Sequence, residues 1–107
     1  MLPKKNRIDK KTADLIFKSG SFLGSKNISF KFIKENSNIS RISFVAPKAL
    51  FKKAVKRNSL RRKGYLALVD NLSSLPRGIL GMFIFNRNIE SEKEIEDEIK
   101  KIINKIH

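Results

Sequence analysis

Residues 48–63, KALFKKAVKRNSLRRK, hold eight Lys or Arg and no Asp or Glu. Like charges repel on one short element, so folding alone has no use for such a field. The chemistry it suits is the binding of a polyanion. On a helix, Lys53, Arg57 and Arg61 are spaced i,i+4 and line one face, with Lys52, Lys56 and Lys63 on its flanks. Side chains one turn apart stand about 5–6 Å from each other and can straddle successive phosphates. Arg57 and Arg62 can each grip a phosphate with two donors, which Lys cannot match. Asn58, inside the densest charge, offers a neutral donor and acceptor to a sugar hydroxyl, a base edge or a backbone group. Six such contacts would make log K fall with log salt at a slope of roughly −4 to −5. Charge alone does not separate RNA from DNA or from an anionic membrane. A membrane-surface helix needs a broad apolar face, however, and Leu60, Gly64 and Ala67 make a small one.

The residues that could break or make bonds are scarce. The chain has no Cys, which excludes disulfides and thiolate metal sites, and its one His is the terminal His107. Before residue 90 the carboxylates are Asp9, Asp14, Glu35 and Asp70. Two-metal phosphoryl transfer needs carboxylates converging on ions about 4 Å apart, and nothing in this spacing promises that. A mechanism built on Lys and Arg alone has no evident base. The residues read as those of a binding protein.

The elements that must position the basic stretch follow from periodicity. A short helix runs from Lys11 or Thr12 to Lys18 on Ala13, Ile16 and Phe17, capped by Asp9 or Thr12 and stopped by Gly20. Residues 21–27 read as a loop. Ile28, Phe30 and Phe32 alternate as a strand, a polar turn covers residues 34–38, and residues 39–46 alternate again, so a hairpin is the economical expectation. Pro47 ends the second strand. A helix is predicted from about Leu50 to Val69, with Gly64 marking either close packing or a break. Ile79 to Phe85 is continuously apolar, as a buried central strand is, and Arg87 follows it. Ser91 and Glu94 form a capping box for a last helix striped by Ile95, Ile99, Ile102 and Ile106, its acidic face turned to solvent. The expected architecture is a two-layer α/β sandwich.

At 107 residues there is room for one domain, with a basic arm at about residues 1–8. The net charge is +14, and it is unevenly spread: the first 89 residues carry 20 basic and 4 acidic side chains, the last 18 carry 4 and 6. No apolar run of about 18 residues is present and no signal-like apolar region opens the chain, so a cytoplasmic protein without membrane attachment is expected. One small core cannot easily bury eight Phe. Phe17 with Phe30 or Phe32 is therefore expected to line a groove between the first helix and the strands where a single strand stacks. Lys4, Lys5, Arg7, Arg41 and Lys48 would frame it.

Arg41-Ile-Ser-Phe-Val-Ala-Pro-Lys48, Ala54-Val-Lys-Arg-Asn58 and Leu60-Arg-Arg62 together resemble the bacterial ribonuclease P protein component. There a strand closed by a basic residue leads into a helix with an Arg-Asn-Arg signature. Leu2-Pro-Lys-Lys-Asn-Arg-Ile8, Leu75-Pro-Arg-Gly78 and the capped last helix extend the resemblance over essentially the whole chain. It implies the element order αβββαβα, a ribosomal protein S5 domain 2-like fold with a left-handed βαβ crossover. It also implies a task, assisting a catalytic RNA that removes the 5′ leader of precursor tRNA, with Mg²⁺ held mainly by the RNA. Ribonuclease P RNA and precursor tRNA would be the partners, with no obligate protein partner. By the same resemblance Lys48, Arg57, Asn58, Arg61 and Arg62 contact the catalytic RNA, where the charge argument adds Lys52, Lys53 and Lys56. Phe17 likewise meets the leader, where the groove argument adds Phe30, Phe32 and Arg41. Several positions depart from the pattern: Ser59 stands for the usual third Arg, Lys63-Gly64 for an apolar pair, Tyr65 for a basic residue, and Ala13 for the second groove aromatic. A Ser in place of Arg forgoes about 1–3 kcal/mol of charge-assisted bonding. Charge by itself equally suits a generic RNA-binding or ribosome-associated protein, and a free-standing nuclease is the reading of a different class.

Overall fold

Three helices and a four-stranded sheet make up the computed structural model, which describes residues 8–89 and 91–106. In chain order these are α1 (Lys10–Ser19), β1 (Ser21–Gly24), β2 (Ile28–Lys34), β3 (Arg41–Val45), α2 (Ala54–Val69), β4 (Ile79–Phe85) and α3 (Glu92–Asn104), with a single 3₁₀ turn at Leu72–Ser74. That is the αβββαβα order. The basic arm falls outside the described residues except for Ile8, whose N–H donates to Ser43 Oγ at 2.9 Å. Asp9 is the α1 cap: its Oδ1 accepts from the Thr12 N–H at 2.8 Å.

The sheet order is β1-β2-β4-β3. The expected hairpin therefore does not form. β4 lies between the two strands, antiparallel to β2 and parallel to β3. The reason is chemical. Nearly every residue of β4 is buried, so it needs neighbours on both edges and cover on both faces. β3 carries Arg41 and Ser43 on one parity and tolerates the edge. Residues 35–40 turn instead against the start of β4, where the Glu35 N–H donates to Gly78 O at 2.7 Å and the Ile79 N–H to Ser40 Oγ at 3.1 Å. Gly78 has φ +75°, the left-handed conformation that favours glycine. A second correction concerns residues 21–24, expected as loop. They form the edge strand β1, paired with β2 from Ser21 opposite Phe32 to Gly24 opposite Ser29.

Period-two alternation then sorts the strand residues between two faces. Ile28, Phe30, Phe32, Ile42, Phe44, Phe83 and Phe85 meet α2 and α3 in the main core. Leu80 and Met82 meet Ile16 of α1 on the opposite face. The helical layer of the sandwich is thus α2 with α3, and α1 crosses the other side of the sheet. Within the main core Phe30 stacks on Phe83 with centroids 4.3 Å apart, and Phe44 on Phe83 at 5.0 Å.

Gly64 marks close packing, not a break. A Cβ there would come within 2.5 Å of the Phe44 ring. One residue on, Tyr65 is buried edge-on to Phe44, and its hydroxyl accepts from the Phe44 N–H at 3.4 Å. The α3 stripe is buried as expected, and Ser91 Oγ accepts from the Glu94 N–H at 3.3 Å. The acidic face of α3 is not wholly solvated, however. Glu98 is 7% exposed and ties α3 to the β1–β2 turn. Its carboxylate accepts from Ser25 Oγ, from the Asn27 N–H at 2.7 Å, from Asn27 Nδ2 at 2.9 Å and from the Ile28 N–H at 3.2 Å.

Candidate nucleic-acid interface

The basic stretch begins as a loop and only then becomes a helix. Pro47 O accepts from the N–H groups of Leu50 and Phe51, and the Phe51 ring is buried as an anchor. Lys48, Lys52 and Lys53 are left exposed. α2 starts at Ala54, four residues later than expected, with Lys53 as its extended cap residue. Lys53 therefore does not share a helical face with Arg57 and Arg61. The α2 N-terminus has no side-chain cap and no acidic residue in its first turn. Its unshared backbone N–H groups add positive potential beside the lysines.

The arginines divide. Arg57 turns back on the loop, its Nη1 donating to Phe51 O at 2.8 Å and Lys52 O at 2.9 Å. Arg61 Nη2 donates to Asn58 Oδ1, so these two side chains act as one unit. Arg62 is exposed on the outward face, and Lys56 and Lys63 are half-buried. The loop, the first turn of α2 and the residues just after β4 frame an open surface cavity of about 440 Å³ lined by Phe51, Lys52, Lys53, Lys56, Asn86 and Arg87, among others. In sequence Arg87 is a charge at the end of the strand that resembles the family's fourth, with no link to the basic stretch. The parallel β3–α2–β4 connection is what brings it beside the loop lysines.

The groove beside α1 is composed differently from the expectation. Phe17 is 48% exposed, and Lys31 Nζ lies 5.4 Å from its ring centroid. Phe30 and Phe32 are absent from this face. They are 0% and 8% exposed and point into the main core, because alternation sends Ser29, Lys31 and Ile33 toward α1 instead. Arg41 is on the α1 side, opposite Leu80 in register, and stands near the helix start. There the Asp9 carboxyl is held below its usual range, first by the Thr12 backbone hydrogen bond and to a smaller degree by the Arg41 charge. Lys4, Lys5 and Arg7 lie outside the described residues. The other exposed Phe is Phe22, at 60%, on the edge strand read as a loop.

The family model for ribonuclease P matches residues 2–107. The chain belongs to the ribonuclease P protein family. Among solved structures it is similar to the RNase P protein of Thermotoga maritima, with TM-score 0.85, 22% identity and coverage of 94% of this chain and 97% of that one. It is also similar to the RNase P protein of Staphylococcus aureus, with TM-score 0.77, 19% identity and 94% of each chain covered. Those identities carry the fold; the family match carries the membership. No curated protein sequence matches the chain.

As a ribonuclease P protein the molecule is the subunit that assists a catalytic RNA in removing the 5′ leader of precursor tRNA, part of a ribonucleoprotein enzyme. Its described side chains do not fit a resident divalent cation. Among the described residues no group of three or more His, Cys, Asp or Glu is placed to hold one, and both surfaces above are cationic. His107 lies outside the described residues. No helix among them is long and apolar enough to cross a membrane. The family departures acquire physical content here: Tyr65 is committed to the core, and Ala13 packs beside Ile16, Leu80 and Met82.

Proposed function

We propose that this ribonuclease P protein meets its two RNA partners on two separate surfaces. The loop carrying Lys48, Lys52 and Lys53, together with Lys56, Arg61, Arg62 and Arg87, contacts the phosphates of ribonuclease P RNA. Arg57 and Asn58 organise that surface from within. The α1 face, with Phe17 and Lys31, receives the single-stranded leader of precursor tRNA, and Arg41 lies toward the other end of α1. Mg²⁺ is bound by the catalytic RNA, which performs the hydrolysis. The whole chain, residues 1–107, works as one domain in the cytoplasm, with no membrane and no obligate protein partner.

The observation that carries this reading is the meeting of three lysines and Arg87 around one cavity at an uncapped helix start. Cationic donors converging from a loop, a helix and a strand end match folded phosphates better than a flat anionic surface. The test is reconstitution with the catalytic RNA at low Mg²⁺. Wild-type protein should enhance maturation of precursor tRNA, and the Lys52→Ala/Lys53→Ala pair should require more protein for the same enhancement. Equal potency of the pair variant would remove this cavity from the RNA contact.

A further inference from the structure

β1 adds a feature that the surfaces above do not use. Phe22 is the most exposed aromatic side chain among the described residues, at 60%. In the antiparallel register it stands opposite Lys31, and Lys31 stands opposite Met82, which lies under α1. Directly opposed residues share a sheet face. Phe22 is therefore on the α1 side, one strand beyond the lysine whose ammonium lies over Phe17. Its ring leans along the strand, since a Cβ at residue 24 would come within 3.3 Å of it. Gly24 leaves that seat open, and the rest of the ring faces solvent.

Two exposed rings with a cation between them form an arrangement that suits one class of ligand. Successive bases of a single strand stack on aromatic faces while the backbone between them is neutralised by Lys. Lys18 follows Phe17 in the last turn of α1, and Lys26 lies in the β1–β2 turn. The one acidic neighbour on the helix, Asp14, is a turn earlier. An edge strand could also pair with a second copy of the chain. The local excess of Lys on both copies opposes that pairing and favours a polyanion.

We infer that Phe22 is a stacking residue for a nucleotide of single-stranded RNA, and that it extends the α1 face outward to the edge of the sheet. In the holoenzyme this nucleotide belongs to the 5′ leader. The inference rests on the reading of the α1 face as the leader surface, and the experiment separates the two.

Holoenzyme is reconstituted with wild-type, Phe17→Ala, Phe22→Ala and Phe22→Trp protein. Affinity is measured for precursor tRNA with a leader of several nucleotides and for tRNA without one. Phe22→Ala should cost about 5- to 150-fold with the leader, well beyond any loss without it, as removal of one base stack does. Phe22→Trp should restore binding. As the chain's single Trp, its fluorescence should be quenched by leader-bearing RNA and much less by leaderless tRNA. If Phe17→Ala loses leader affinity and Phe22→Ala does not, Phe22 is no part of the site while the leader surface stands. If neither variant alters leader dependence, the leader surface itself is misplaced. Equal loss with and without a leader, or a self-association of the free protein that Phe22→Ala abolishes, overturns the inference.

Discussion

Arg57 and Arg62 carry the same charge, five residues apart, and the fold gives them different work. Arg57 holds two loop carbonyls, while Arg62 extends into solvent. Arg57→Ala should therefore lower stability by about 1–3 kcal/mol, the range for hydrogen bonds from a charged donor, and weaken RNA binding by loosening the lysine loop. Arg62→Ala should leave stability within about 0.5 kcal/mol and reduce the salt slope of RNA binding by about one. Urea titration beside salt-dependent RNA titration checks both; matched stability losses would refute the division. Glu98 supplies a pH dependence. Burial acts to raise its pKa, but the hydrogen bonds from Ser25, Asn27 and Ile28 outweigh burial and hold it below the ordinary 4.5. Its folded value is depressed, so its contribution is fully present above 4.5 and is lost as pH falls through the folded value. Glu98→Gln should cost about 1–3 kcal/mol near neutrality. Its urea midpoint should also change less than that of wild type between pH 6 and pH 3. None of this was legible in sequence, where Glu98 is one of several acidic residues on an amphipathic helix and its partners lie some seventy residues earlier.

The elements themselves were largely legible. α3 announces itself by its cap and its Ile stripe, and α1 by its cap and its stop glycine. β4 does so by an apolar run too long to leave on an edge. β1 did not, because a four-residue edge strand with exposed Phe22 and Gly24 has no buried alternation to display. α2 was legible in type but not in its start, since charge runs continuously through the loop and the helix. Gly64 is the position where local preference and packing conflict. Alanine would gain about 1 kcal/mol of helix propensity. It would also drive a Cβ into the Phe44 ring, which is pinned by Phe83, Phe85 and Tyr65. Overpacking of that kind costs about 1–3 kcal/mol, so Gly64→Ala should be destabilising on balance. Chemical denaturation gives the sign directly, and a stabilised variant would mean that α2 can lift off the sheet without strain.

At the scale of the whole molecule, positive charge is gathered on the body while α3 carries five of the ten acidic residues. If about six phosphates are neutralised, the affinity for the catalytic RNA should fall with log salt at a slope of roughly −4 to −5. A flat response would dissociate the basic surface from RNA binding. Composition and periodicity were enough to establish a cationic binding protein and every helix and strand but β1, because charge and hydrophobic period are properties of neighbouring residues. The RNA partner, the full element order and the family came from the resemblance of its motifs. Composition and periodicity could not establish which strands pair or which residues share a face. Inserting β4 between β2 and β3 set Arg87 beside the loop lysines. It also buried Phe30 and Phe32 on the side away from α1, and the pairing of β1 with β2 set Phe22 opposite Lys31. Strand order is chosen by how well each strand is covered on both faces, and that is decided only when the whole sheet closes on its helices.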